Sequence, residues 1–205
     1  MSVAKLVLIV ALLSSPVVWA EGSLPPPNMG NYSVIASTAC DPVFPVQMGA
    51  LEITLEKTSL KKIQSEIGVG EIYNHGDASE ALAWICYTIS TSKPKQRVWL
   101  SSGEMGGLDV IDGITALELP ATAYSSKSCP ELPQQFSPLR FTNGTWLGMP
   151  EKAFIKAYGK GKKEKDVNSY VYIGKNGKYD IIGSLNVHFK NQVLVAINVN
   201  HVTSN

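Results

Sequence analysis

Two short stretches hold residues of types that do chemistry. Glu71, His75 and Asp77 offer two carboxylates and an imidazole within one polar loop, a donor set for a divalent metal and for metal-assisted hydrolysis. Oxygen and nitrogen donors this close are commonplace on solvated loops, so the spacing by itself assigns no metal, and no cofactor is implied. Gly159-Lys160-Gly161-Lys162-Lys163 resembles a phosphate cradle, but it lacks the P-loop spacing and the closing Ser or Thr. It reads as a solvated basic loop whose Lys160, Lys162 and Lys163 suit an anionic partner. There is no His-Glu-x-x-His zinc motif, no Gly-x-Ser-x-Gly elbow and no dinucleotide fingerprint. His188 and His201 fall on expected strands and read as surface or core-edge histidines. These residues point to a protein that is not an enzyme, with an exported metal-dependent hydrolase around Glu71, His75 and Asp77 as the alternative.

Aromatic residues supply a second candidate surface. Trp84, Trp99, Trp146, Tyr170 and Tyr172 lie on expected strands or at a helix entrance. Such side chains serve either as core or as interface anchors. Trp84 reads as core. Trp99 and Tyr172 read as the exposed members, and with Lys160, Lys162 and Lys163 they form the expected binding set for another protein. Nothing points to a nucleic acid.

The N-terminus reads as a secretory signal peptide. Lys5 precedes the apolar run Leu6 to Leu13, and Val18-Trp19-Ala20 fits the cleavage site. The run is shorter than the roughly 20 residues of a membrane span, so no stable membrane insertion is expected. The mature chain belongs in a periplasm or outside the cell. Export permits a disulfide, and three cysteines leave one thiol over. Cys86 with Cys129 is the expected pair, tying a proline-rich linker back to a strand; Cys40 is the alternative partner. Asn31-Tyr32-Ser33 and Asn143-Gly144-Thr145 are glycosylation sequons if the source is eukaryotic.

Charge is uneven along the chain. Residues 21 to 119 hold 6 basic and 12 acidic residues, net −6, whereas residues 120 to 205 hold 11 basic and 5 acidic, net +6. Opposite halves steer towards each other or present unlike faces to partners.

The elements that position these residues come in two similar sets. Thr54, Lys61, Gly68 and Gly70 recur 91 positions later as Thr145, Lys152, Gly159 and Gly161. Leu60, Ile63 and Ile67 have helical spacing, and Gly68 supplies a left-handed stop. Pro150 suits a first helical turn, and Ala153, Phe154, Ala157 and Tyr158 make one apolar face before Gly159. Strands are expected at Leu51 to Leu55, Ala81 to Ile89, Arg97 to Ser101, Leu108 to Leu119, Ser169 to Ile173 and Tyr179 to Phe189. Residues 160 to 168 read as a loop, and Lys175 to Lys178 as a hairpin turn. Gly183 marks a candidate bulge. A last strand follows with Val193, Val195, Ile197 and Val199 on one face, and Tyr32 to Ala36 suits an edge strand. The fold class is α+β, with two tandem repeats, each a short helix on an antiparallel meander. The organisation is a signal peptide at 1–20, a Pro-rich leader at 21–46, a first repeat at 47–119, a linker at 120–138 and a second repeat at 139–205.

The segment from Trp146-Leu147-Gly148-Met149-Pro150 to Tyr158-Gly159 resembles the beta-lactamase inhibitory protein fold, which has two tandem helix-and-sheet repeats. It is also similar to the small lipoprotein of the outer-membrane barrel-assembly machinery, which has a single such module. The first copy departs from the pattern, with Lys57 in place of Gly148 and Ser59 in place of Pro150. The resemblance implies protein binding through the sheet face or loops, without catalysis. It carries over no inhibitory loop residue by residue. An inhibitor-like or adaptor protein is therefore expected, with the concave sheet as its surface and loops 102–109 and 160–165 at the rim. An envelope-assembly factor is a further alternative, against which the absence of a lipid-anchor cysteine counts.

Overall fold

The computed structural model describes residues 24–29 and 41–204. The expected signal peptide and cleavage at Ala20, the edge strand expected at 32–36, the Asn31 sequon and Cys40 lie outside the described residues. Strands β1 (Val46–Met48) and β2 (Leu51–Ile53) precede helix α1 (Leu60–Ile67), then β3 (Tyr73–His75), β4 (Leu82–Ile89), β5 (Gln96–Gly103) and β6 (Gly113–Glu118). Strand β7 (Leu139–Phe141) precedes helix α2 (Glu151–Tyr158), then β8 (Lys162–Glu164), β9 (Val167–Asn176), β10 (Tyr179–Lys190) and β11 (Val193–Ser204). The fold is α+β. A small sheet runs β2-β1-β7, and one eight-stranded antiparallel sheet runs β3-β4-β5-β6-β11-β10-β9-β8. The seam between its halves is the β6–β11 pair, in which Ile114 faces Val199 and Ala116 faces Ile197.

Alternation along each strand sends one set of side chains to an inner face. Ile85 and Tyr87 of β4, Val98 and Leu100 of β5, Ile114 of β6, Val199 of β11 and Leu185 of β10 bury there. Both helices and the small sheet cover that face, giving a single continuous core. Helix α1 is too short to hold alone in water. It is held by burial of Leu60, Ile63 and Ile67, worth about 1.5–3 kcal/mol each. The Ser59 hydroxyl accepts from the Lys62 N–H at its start, and Gly68 ends it with φ 76°.

Helix α2 sits 91 positions later and buries an aromatic stripe instead. Phe154 stacks on Tyr158 at 4.5 Å between ring centroids and meets Phe189 at 5.4 Å and Tyr170 at 5.7 Å. Ala153 and Ala157, expected on the apolar face, are exposed, because the helix turns its rings to the sheet and a methyl group does not span that gap. The repeated glycines share a physical cause. A Cβ at Gly70 would come 3.1 Å from the Tyr87 ring, and one at Gly161 would come 2.6 Å from the Tyr170 ring. The Tyr87 hydroxyl donates to the Val69 carbonyl at 3.0 Å and the Tyr170 hydroxyl to that of Gly159 at 3.1 Å.

Four expectations change. The strand expected from Leu108 begins at Gly113; Gly107 and Leu108 are left-handed (φ 64° and 60°), and the segment turns to α1, where Leu60 N–H donates to the Asp109 carbonyl. The lysine loop contains edge strand β8, because Lys162 to Glu164 pair with β9. Gly183 lies in regular register opposite Tyr172 and His201, and the irregularity falls between His188 and Phe189. Past that shift Leu194 is buried, while Val193 and Val195 are only half-buried. Among the described residues no helix is long and apolar enough to cross a membrane.

Candidate functional site

The outer face of the large sheet differs between its halves. On the first half, Cys86 of β4 stands opposite Trp99 of β5. The Cys86–Cys129 disulfide draws the proline-rich segment over it. That segment pairs with β4 beyond the end of β3: Thr88 N–H donates to Pro130 O and Leu132 N–H to Thr88 O, each at 2.8 Å. Trp84, Trp99, Cys86 and Cys129 form a buried cluster edged by Tyr73, Leu82 and Leu117. Tyr73 stacks on Trp84 at 6.2 Å. The Trp99 indole N–H donates to the Leu24 carbonyl at 2.9 Å, so the leader lies against this half.

The second half keeps apolar side chains in solvent: Ile173 is 50% exposed and Ile182 43%. Beside them is a cavity of about 480 Å³ whose apolar walls are Leu82, Val171, Ile173, Ile182 and Val202. Leu82 is on β4 and Ile173 on β9, five strand spacings apart in the sheet order. In a flat sheet that is roughly 24 Å, so a shared cavity means that the sheet curls around this face. Ser101, Asp112, Ser184 and Asn200 are its polar members. A Cβ at Gly113 would lie 2.5 Å from Ser101 Oγ and 2.7 Å from Asn200 Oδ1, so a side chain there would have to displace both. The Asp112 carboxylate accepts the Gly103 N–H at 2.8 Å. Burial holds its pKa above the usual carboxylate range, against the pull of the hydrogen bonds from Gly103 and its own N–H, and the charge of Glu56 adds to the rise.

A polar joint lies at one end of the inner face. His201 Nδ1 is 2.6 Å from Glu56 Oε2 and its Nε2 is 3.0 Å from Asp41 Oδ2. Glu56 also accepts the Thr203 N–H at 2.6 Å and the Thr203 hydroxyl at 2.8 Å. Its backbone is left-handed at φ 59°, a conformation a non-glycine residue keeps only where its surroundings impose it. Gly183 stands opposite His201, and the Asp41 carboxylate fills the space a side chain there would take. The hydrogen bond with Asp41 raises the His201 pKa; burial opposes the rise and Glu56 supports it. With both ring nitrogens engaged, His201 acts as a clamp between turn and strand rather than as a free base.

The expected binding set does not converge. Trp99, expected to be exposed, is 3% exposed, because the leader and the disulfide-tied cluster cover it. Tyr172 is half-buried on the inner face, where its ring covers Gly174. Lys160 is exposed beyond α2, and Lys162 and Lys163 lie on β8 at the sheet edge opposite β3. The expected Cys86–Cys129 bridge is formed. Glu71 accepts from the Tyr73 hydroxyl at 2.9 Å, and His75 and Asp77 are exposed. Among the described residues no three His, Cys, Asp or Glu side chains are grouped to hold a metal. Ile173, Ile182, Asp112, Glu56 and Asp41 escaped sequence reasoning. Glu56 is 145 and Asp41 160 positions from His201, and no local pattern signals a contact at that distance. No protein-family model matches the chain, and no curated protein or solved structure matches it either.

Proposed function

We propose that this chain is an exported, non-catalytic protein-binding protein, inhibitor-like or adaptor-like, built from two α+β repeats of the beta-lactamase inhibitory protein kind. Its outer sheet face captures an extended segment of a partner, whose apolar side chains enter the groove beside Ile173 and Ile182. The observation that carries this reading is the pair of large aliphatic side chains left in solvent at the lip of an apolar, curled groove. The equivalent 91-residue placement of α1 and α2, and of the glycines packed on Tyr87 and Tyr170, supports the two-repeat reading. The disulfide fits an oxidising compartment.

The test replaces Ile173 and Ile182 together by Glu in the mature chain and compares crosslinked capture from envelope extract by quantitative mass spectrometry. A protein captured by the wild type and lost at least about tenfold in the double variant is the expected result, on the scale of lost interface anchors. Equal capture by both would end the reading. Replacing Lys160, Lys162 and Lys163 by Glu weakens capture only of an acidic partner.

A further inference from the structure

We infer that the paired indoles on the first half of the outer face are a reading site for polyproline-type peptide, occupied here in cis by Leu24–Met29. The inference rests on the protein-binding reading and goes beyond it, adding a second site on the other half of the face with a stated ligand chemistry: a proline-rich, extended segment of another exported protein.

Three observations converge on it. The segment on the site is Leu24-Pro25-Pro26-Pro27-Asn28-Met29, and each residue before a proline is held extended. Its Leu24 carbonyl accepts the Trp99 indole N–H at 2.9 Å, across 75 positions of sequence, while Pro26 and Pro27 are half-buried. Aromatic-lined grooves recognise polyproline segments, whose backbone carbonyls are left free to accept a hydrogen bond such as the one from Trp99.

The third observation is Trp84. In the β4–β5 register Trp84 stands opposite Ser101 and Cys86 opposite Trp99, so the two indoles are diagonal neighbours on one face. Trp84 is 1% exposed, and its indole N–H has no acceptor among the described residues. A buried donor left unmade is unfavourable, and a neighbouring peptide carbonyl would satisfy it. Leu24–Met29 thus engages one of the two donors. A longer proline-rich ligand offers acceptors to both, and so has a basis for displacing a tethered competitor.

The experiment uses the full mature chain and a variant with Pro25, Pro26 and Pro27 all replaced by Gly, which loosens the tethered segment. A synthetic peptide spanning Leu24 to Met29 is titrated into each while the tryptophan indole N–H resonances are followed. Saturable movement of the Trp99 signal is expected in the variant at a concentration at least tenfold below that needed in the wild type. The same peptide with its prolines replaced by Gly should bind at least tenfold more weakly. That comparison leaves the protein unchanged, so it does not depend on how the substitutions affect folding. An unmoved Trp99 signal in the loosened variant, or equal binding of the proline-free peptide, would overturn the inference. A concentration-dependent dimer with exchanged leaders would overturn the assignment to another protein. If the peptide fails while capture still depends on Ile173 and Ile182, only this inference falls; if both fail, the protein-binding reading falls with it.

Discussion

The two halves of the large sheet share a layout, a short helix followed by four antiparallel strands, yet their outer faces are finished differently. On the β3–β6 half, Trp84 and Trp99 are sealed beneath a disulfide-tied segment and the leader. On the β8–β11 half, Ile173 and Ile182 stand in solvent beside an apolar cavity. The cover came from connections and not from strands: the segment carrying Cys129 exists only between the halves, and the leader only before them. Two large aliphatic groups left unburied, with no cover among the described residues, support the partner groove proposed there.

The comparison breaks most sharply with a matched pair of truncations. Trp99→Ala should cost about 3–5 kcal/mol and Ile173→Ala under about 1 kcal/mol, read as urea midpoints at equal slope. Similar costs at both positions would mean that the two faces are equally closed. Removing the disulfide with Cys86→Ala and Cys129→Ala should cost roughly 2–4 kcal/mol, since it frees a loop of 43 positions. Tryptophan emission should move to the red as the covered half opens, and unchanged emission would show that the segment stays in place without its bond.

A smaller effect concerns the joint that ties β11 to the turn before α1. The folded-state pKa of His201 is raised above its ordinary value, chiefly by the bond with Asp41. Its contribution is therefore complete below about pH 6.5, the unfolded value, and is lost as the pH rises through the higher folded value. Urea midpoints should fall across that interval for the wild type and stay level for His201→Gln. The smallest effect contrasts the helices. Ser59→Ala should cost about 1 kcal/mol by removing the α1 cap, whereas α2, whose N-cap is Pro150, has no side-chain cap to lose.

Much of the layout was legible because it depends on near neighbours. Helix α1 follows from the spacing of Leu60, Ile63 and Ile67 with Gly68 behind them, and the β9–β10 hairpin follows from Asn176-Gly177. Errors arose where a distant group decided the outcome. Gly183 reads locally as a bulge, but it is small because Asp41 sits against it. Ala153 and Ala157 read as an apolar face, but the rings of Tyr170 and Phe189 turned α2 towards Phe154. Trp99 reads as a free aromatic, but the leader carbonyl lies 75 positions earlier.

By itself, then, the sequence determined what period and local turn chemistry can encode: the α+β class, the two short helices at 91-residue spacing and their glycine stops. Tertiary structure alone decided the rest. It set which face of the sheet received a cover, how far the sheet curls, and which carboxylates meet His201. Those outcomes depend on packing between segments far apart in the chain, and side-chain periodicity carries no information about what lies across the core.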